Sequence, residues 1–121
     1  MKVKLFLLKR LWDKISQTNY NERSHIHIPF KVIQNIIKII LFVDSKLLDG
    51  FTIWTCINGT LLLDYTKNSS LVCTFNITED EFSMYYGKYA LTDKYTVSSG
   101  KISLETIEQH IKDFKTKYEQ L

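Results

Sequence analysis

An Asn-Gly pair between two apolar runs limits the folds open to this chain more than any other stretch. Residues 51–57 and 60–65 are rich in Ile, Leu, Thr and aromatic side chains, and Asn58-Gly59 separates them. Asn-Gly favours a type I′ turn because both central residues of that turn adopt positive φ angles. The pattern predicts two antiparallel strands joined by a two-residue turn.

The length of that turn determines which side chains share a face of the sheet. A two-residue turn pairs Cys56 with Leu61 and Trp54 with Leu63. Alternation along the strands then predicts one strongly apolar face, which helices should cover. Its expected members are Trp54, Cys56, Leu61, Leu63, Tyr65, Leu71, Cys73, Phe75, Ile77, Phe82, Met84 and Tyr86.

The opposite face of this sheet is also expected to be partly apolar, whereas an open face of an antiparallel sheet is usually polar. The pattern therefore predicts that either the N-terminal segment or a second molecule covers it. The residues expected to bind a partner there are Ile53, Ile57, Leu62, Val72 and Tyr85.

Three further strands and a long helix are predicted beyond the hairpin. The strands are 71–77, 82–86 and 94–98, with polar turns between them. The helix is predicted over 103–119, and its first residue is a serine, a suitable N-cap. Its apolar stripe recurs every three or four residues, at Leu104, Ile107, Ile111, Phe114 and Tyr118.

Two helices are predicted before the sheet, over 3–17 and 29–42. Pro29 suits the first turn of the second helix, where its missing N–H is not needed. The first helix is expected to bury the stripe Leu5, Leu8, Trp12 and Ile15. The second is expected to bury Phe30, Ile33, Ile36, Ile37, Ile40 and Leu41, with Val32 and Ile39 widening that face.

This order of elements predicts an α+β fold, in which an antiparallel meander of four to five strands has N-terminal and C-terminal helices packed on one face. A length of 121 residues suits a single domain over 1–121. No stretch has the length and apolarity of a membrane span, and the N-terminal segment lacks the long apolar region of a secretory signal. We therefore expect no membrane association and a cytoplasmic location.

The order of motifs resembles a group of small uncharacterised bacterial proteins. The features that carry the resemblance are Trp12-Asp13, the Ile28-Pro29 pair that opens an Ile-rich helix, and the hairpin "INGTLLLDY". In those proteins a W-D-G-Y-like element and a helix precede a hairpin of the D-G-x-I-x-L-E-W kind. They are often associated with mobile elements and defence islands.

This chain departs from that pattern at several positions. Asn58 stands where the group has Asp, Asp64 where it has Glu, Tyr65 where it has Trp, and Lys14 where it has Gly. The resemblance covers roughly residues 11–86. It implies a helix-then-meander architecture and a bacterial or phage origin, and it implies no particular activity.

Few residues offer catalytic or metal-binding chemistry. His25 and His27 would point to the same side of an extended segment, as two zinc ligands do, but the sequence does not supply the remaining ligands. Cys56 and Cys73 are predicted on strands about 10 Å apart, too far for a disulfide. Cys73 with His110 could form a nucleophile pair, but no nucleophile elbow or oxyanion loop surrounds it. We expect no enzyme activity, no cofactor and no metal, and we expect two free thiols.

These observations favour a small non-enzymatic protein-binding module. An immunity protein, an antitoxin or an anti-defence inhibitor of a bacterium or phage would suit its size and its partly apolar second sheet face. The partner is expected to be another protein, or a second copy bound through that face.

Nucleic-acid binding is the alternative. Residues 1–47 contain nine Lys or Arg against three Asp or Glu, a net charge of +6, whereas residues 48–121 contain seven against ten, a net of −3. A basic helix can contact phosphates. The residues expected to do so are Lys9, Arg10 and Lys14.

Overall fold

The computed structural model describes residues 2–67, 70–86 and 96–119. Its helices are α1 (Lys2–Gln17), α2 (Phe30–Phe42), α3 (Ser45–Leu48) and α4 (Leu104–Glu119). Its strands are β1 (Phe51–Thr55), β2 (Leu61–Lys67), β3 (Ser70–Ile77), β4 (Glu81–Tyr86) and β5 (Thr96–Lys101). The strands form one antiparallel sheet in the order β1-β2-β3-β4-β5. The predicted α+β class and antiparallel meander are therefore confirmed.

The element bounds agree closely with the predicted ones, apart from the short helix α3, which was not predicted. The predicted fifth strand begins at residues 94–95, which lie outside the described residues. Three predicted core positions have side chains outside the described part of the structure: Leu71, Tyr86 and Tyr118.

The β1–β2 turn is one residue longer than predicted, so the pairing of β1 is shifted by one position. Cys56 N donates to Thr60 O, and Gly59 N donates to Cys56 O, both at 3.0 Å. Gly59 has a φ of 83°. This is a three-residue loop, a tight turn followed by a glycine in the left-handed region, and it competes with the two-residue type I′ turn.

The shift reverses the two faces of β1. Trp54 pairs with Leu62 and Ile53 pairs with Leu63, so the predicted Trp54–Leu63 pairing is wrong. A one-residue slip moves every side chain of a strand to the opposite face. Phe51 and Ile53 therefore enter the core, and Trp54 leaves it.

The hydrophobic core lies between one face of the sheet and the helices. From the sheet it takes Phe51, Ile53, Leu61, Leu63, Val72, Cys73, Phe75, Ile77, Phe82 and Met84. The C-terminal helix buries its predicted positions Ile107, Ile111 and Phe114. The Phe114 ring packs edge-on against Tyr65 with ring centres 5.4 Å apart, which fixes α4 over the sheet.

The buried faces of α1 and α2 differ from the predicted stripes. In α1 the buried residues are Leu7, Leu11, Lys14 and Ile15. In α2 they are Val32, Asn35, Ile36, Ile39 and Ile40. The predictions for Leu5, Trp12, Phe30 and Leu41 are wrong, because these side chains are exposed. Each helix has apolar residues around more of its circumference than the core can contact, and the periodicity alone does not select the buried part.

Candidate functional site

The second face of the sheet is less apolar than the sequence predicts. Of the five residues expected to bind a partner there, Ile53 and Val72 are buried with the core cluster, so these two predictions are wrong. Ile53 is turned inward by the shift of β1, and Val72 is the extra residue of a β-bulge opposite the Tyr65–Thr66 step. The other three remain accessible: Ile57 at the turn is 88% exposed, and Leu62 and Tyr85 are partly exposed.

Polar residues occupy the middle of this second face. Asp64 lies directly opposite Thr74, is buried, and accepts a hydrogen bond from the Thr74 hydroxyl. Burial raises the pKa of Asp64, and the hydrogen bond from Thr74 opposes that shift. The neighbouring Asn76 Oδ1 is buried and has no hydrogen-bond partner in the described part of the chain. The face therefore has the polar character that is usual for an antiparallel sheet with one covered side.

The edge of the sheet is covered by α1, which packs alongside β1. Arg10 donates from Nε to Thr52 Oγ1 at 3.1 Å and from Nη2 to the carbonyl of Ile53 at 3.2 Å. The guanidinium carbon lies 4.9 Å from the centre of the Trp54 ring, and Lys14 Nζ lies 4.2 Å from it. Both cations thus bind the indole, and Arg10 satisfies a backbone oxygen at the sheet edge.

The predicted nucleic-acid site consists of Lys9, Arg10 and Lys14. Arg10 and Lys14 contact Trp54, whereas Lys9 does not. Lys14 is only 8% exposed, and burial, followed by the nearby charge of Arg10, lowers its pKa. Lys9 is exposed and, as the residue before Arg10, points about 100° around the helix from the side that meets Trp54. Arg10 and Lys14 therefore hold α1 against β1, and they do not share an open basic surface with Lys9.

Helices α1 and α2 form an antiparallel pair. At one end Lys4 Nζ donates to the carbonyl of Leu41 at 2.9 Å, which joins the start of α1 to the end of α2. At the other end the Asn19 side chain donates to the Ile28 carbonyl at 2.9 Å and accepts from the Ile28 N–H at 2.7 Å. The second pair of bonds closes the connection between the helices, so α2 runs back antiparallel to α1.

A second apolar surface runs along the outside of this helix pair. We call it the outer seam and define it as Leu5, Leu8, Trp12, Phe30, Ile33, Ile37 and Leu41. On each helix these residues recur at intervals of three and four, so they lie in one row. Lys4 is one turn before Leu8 and reaches α2, so this row of α1 faces α2. The two rows meet at the junction of the helices.

The outer seam has a partly buried floor and exposed walls. Leu8, Ile33 and Ile37 are partly buried and pack against the core cluster. The wall residues Leu5, Trp12, Phe30 and Leu41 are 60%, 59%, 71% and 61% exposed. The exposed ring of Tyr20 extends the seam, 5.9 Å from Trp12. Large apolar side chains clustered on an exposed surface mark interaction sites more often than isolated ones do.

All seven residues of the outer seam stand out in the sequence, but as core residues, which is wrong for the four exposed walls. Leu5, Leu8, Trp12, Phe30, Ile33, Ile37 and Leu41 were all predicted to be core. The available signal was a second stripe on each helix, Leu7 with Leu11 and Val32 with Ile36 and Ile39. A helix that carries two apolar stripes has one more than a core on one side can cover.

The cysteines and the possible metal ligands are the reactive side chains singled out from the sequence. Cys56 and Cys73 are both free, as predicted. Burial, followed by the nearby charge of Asp64, raises the pKa of the Cys73 thiol, which disfavours the nucleophilic thiolate. Among residues 2–67, 70–86 and 96–119, no three His, Cys, Asp or Glu side chains lie close enough to hold a metal ion.

Shallow cavities open on the surface of the described residues at two places, among others. One, of about 400 Å³, lies between the start of α1 and β1 and is lined in part by Val3, Phe6 and Phe51. The other, of about 390 Å³, lies beside the β1–β2 turn and is lined by Pro29, the turn residues and the acidic residues 79–81. Neither is enclosed by the core.

The helices of the described residues are all too short or too polar to cross a membrane. Comparisons with known protein families, with curated proteins and with solved structures find no match for this chain.

Proposed function

We propose that this protein is a non-catalytic protein-binding module that acts by occupying a surface of a partner protein. Immunity proteins, antitoxins and anti-defence inhibitors of bacteria and phages work in this way, and we place this protein in that functional class. The observation that carries the proposal is the outer seam, where four large apolar side chains lie in two adjacent rows and are more than half exposed.

The energetics of the seam suit a binding surface. Complete burial of a Leu or Phe side chain contributes about 1.5–3 kcal/mol relative to its exposed state. Interfaces depend on a few such residues near their centre, and aromatic side chains such as Trp12 and Phe30 are frequent among them. Exposed apolar side chains contribute little to the stability of the isolated monomer. Burial against a partner protein therefore accounts for them better than folding of the monomer does.

The seam is also held in place before any partner arrives. Leu8, Ile33 and Ile37 anchor it to the core cluster, Lys4 joins the start of α1 to the end of α2, and Asn19 closes the connection between the helices. A preorganised surface loses little conformational entropy on binding. Both cysteines are free, which suits a reducing compartment, and we propose the cytoplasm as the site of action.

The test is affinity purification from the native host cells, with and without nuclease, using Leu41→Ser as the seam variant. Ile57→Ser is the matched control, because Ile57 is a large exposed apolar residue at the β1–β2 turn and is not part of the outer seam. We expect the wild-type protein and Ile57→Ser to retain one stoichiometric partner protein in the presence of nuclease. We expect Leu41→Ser to lose it while the urea midpoint stays unchanged.

Other outcomes of this purification would contradict the proposal in distinct ways. Loss of the partner in Ile57→Ser and Leu62→Asp, but not in Leu41→Ser, would move the interface to the second face of the sheet, through Ile57, Leu62 and Tyr85. Retention of the partner in every variant would rule out both the outer seam and the second face of the sheet as the interface.

Nucleic-acid binding is the alternative proposal, and its support is the net charge of +6 in residues 1–47. If this alternative holds, the retained material is nuclease-sensitive and its affinity falls steeply with salt. Lys9→Ala should then weaken binding, because Lys9 is exposed.

A further inference from the structure

We infer that the outer seam receives an acidic amphipathic helix of the partner protein. This inference rests on the proposed protein-binding function, and it specifies the chemistry of the partner. It derives from two features of the seam: the charges along its borders and the shape of the junction between α1 and α2.

Lysines border the exposed walls of the seam. Lys9 lies four residues after Leu5 and three before Trp12, so its side chain is adjacent to both on the surface of α1. Lys2 lies three residues before Leu5, and on α2 Lys38 lies three residues before Leu41. All three lysines are exposed.

On the two helices these lysines outnumber the carboxylates. Helix α2 contains no Asp or Glu, and α1 contains one, Asp13, four residues after Lys9. Within the described residues no ion pair joins Lys2, Lys9 or Lys38 to a carboxylate, whereas Lys31 pairs with Asp80 at 2.9 Å. An apolar row bordered by cations is complementary to an apolar row bordered by carboxylates.

The shape of the seam suits a helix as the occupant. Two antiparallel helices leave a groove along their junction, and a third helix fits such a groove by packing side-chain ridges into it. Phe30 and Leu41 are eleven residues apart, about 16 Å along α2 at 1.5 Å per residue. An occupying helix of about three turns, with apolar residues at intervals of three and four, would contact all four walls.

A second copy of this chain fits the seam less well. A two-fold symmetric interface brings each surface against itself, so the lysines of one copy would meet those of the other. Like charges brought together in a desolvated interface oppose association. The charge pattern therefore favours a different, acidic protein.

In the experiment, a displayed library of random helical peptides is screened against the immobilised wild-type protein, and the peptides that bind are selected. Affinities of the selected peptides are then measured by fluorescence anisotropy for four variants. Leu41→Ser tests the seam, Lys9→Glu and Lys38→Glu test its borders, and Lys112→Glu is the charge control because Lys112 is exposed on α4.

We expect selected peptides with Leu, Ile or Phe at helical spacing and with Asp or Glu beside them. Leu41→Ser and each border variant should weaken their binding by about tenfold or more, and increasing salt should weaken it further. Lys112→Glu should bind as the wild type does. This set of results supports the inference.

The outcomes that overturn it differ from those that overturn the proposed function. Peptides that need Leu41 but show no acidic bias and tolerate Lys9→Glu would refute an acidic partner and leave protein binding through the seam intact. If none of the selected peptides depends on Leu41 for binding, the helix-in-groove interface is refuted.

Two further measurements on the same variants test the other occupants. Flotation with vesicles of phosphatidylserine and phosphatidylcholine that is lost in Leu41→Ser would assign the seam to an anionic lipid surface and overturn the inference. A concentration-dependent dimer in analytical ultracentrifugation that is lost in Leu41→Ser would assign it to a second copy, with the same consequence.

Discussion

The β1–β2 turn is packed against the chain that leads into α2, with Gly59 directly beside the carbonyl oxygen of His27. A Cβ atom at Gly59 would lie 2.5 Å from that oxygen, closer than such atoms approach one another. Gly59 also has a φ of 83°, which costs a residue with a side chain about 1–2 kcal/mol. This position therefore requires glycine for two independent reasons.

Gly59→Ala should lower the free energy of unfolding by at least about 2 kcal/mol, since strain and steric overlap add. Gly100→Ala is the matched control, because a Cβ there would meet its nearest neighbour, the Phe82 ring, at an ordinary 3.8 Å. Urea unfolding of both variants measures the difference. Similar midpoints for the two would contradict the close packing of this turn against His27.

Asp64 should make the protein less stable as the pH rises. Its pKa is raised in the folded state, mainly by burial, so its charged form is disfavoured there relative to the unfolded chain. Below its unfolded pKa of about 4 the group is protonated in both states and adds no penalty. As the pH rises from there through the folded pKa, ionisation of the unfolded state draws the equilibrium towards unfolding.

Asp64→Asn should remove this penalty, giving a higher urea midpoint at pH 7 and little change at acidic pH. Thr74→Val should have the opposite effect at pH 7, because the Thr74 hydroxyl stabilises the ionised carboxylate. Urea melts across this pH range measure both variants. An Asp64→Asn protein that is less stable than the wild type at pH 7 would show that the carboxylate is stabilising.

Phe114 and Lys115 are adjacent in α4, and both should matter for stability. Phe114 is buried against Tyr65, and Phe114→Ala should cost about 3–5 kcal/mol through the cavity it leaves. Helical periodicity alone predicts that Lys115 is a neutral surface residue. Its Nζ instead donates to the carbonyls of Lys46 at 3.0 Å and Asp49 at 2.7 Å, which ties α4 to the end of α3.

Lys115→Ala should therefore cost about 1 kcal/mol, whereas Lys112→Ala, on the exposed side of α4, should stay within about 0.5 kcal/mol. Urea midpoints of these variants rank the three positions. Equal values for Lys115→Ala and Lys112→Ala would mean that the bonds between α4 and α3 contribute nothing measurable.

Arg10 should act as a structural link between α1 and β1. Arg10→Ala removes two hydrogen bonds and a cation–π contact, and we expect a cost of about 1–2 kcal/mol. Lys9→Ala is the control and should be nearly neutral. Hydrogen exchange should show faster exchange in β1 and α1 for Arg10→Ala only. Unchanged protection in β1 would mean that packing alone holds α1 in place.

The sequence by itself determined the elements and their order. Periodicity of three and four placed α1, α2 and α4 to within two residues, because each has a regular apolar stripe and suitable end residues. Alternation and the Asn58-Gly59 signal located the hairpin and the later strands. The core face of β2, β3 and β4 was also predicted correctly at Leu61, Phe75 and Met84. These features depend on local chemistry, which short stretches of sequence contain.

Tertiary structure alone decided which apolar surfaces are buried. Asn58-Gly59 is compatible with a two-residue or a three-residue loop, and the choice depends on whether Ile53 or Trp54 packs better in the core. Helices α1 and α2 each have two apolar stripes, and the position of α1 beside the β1 edge buries Leu7 and leaves Trp12 outside. Such choices depend on contacts between residues far apart in the chain, so the candidate binding surface emerges only from the folded arrangement.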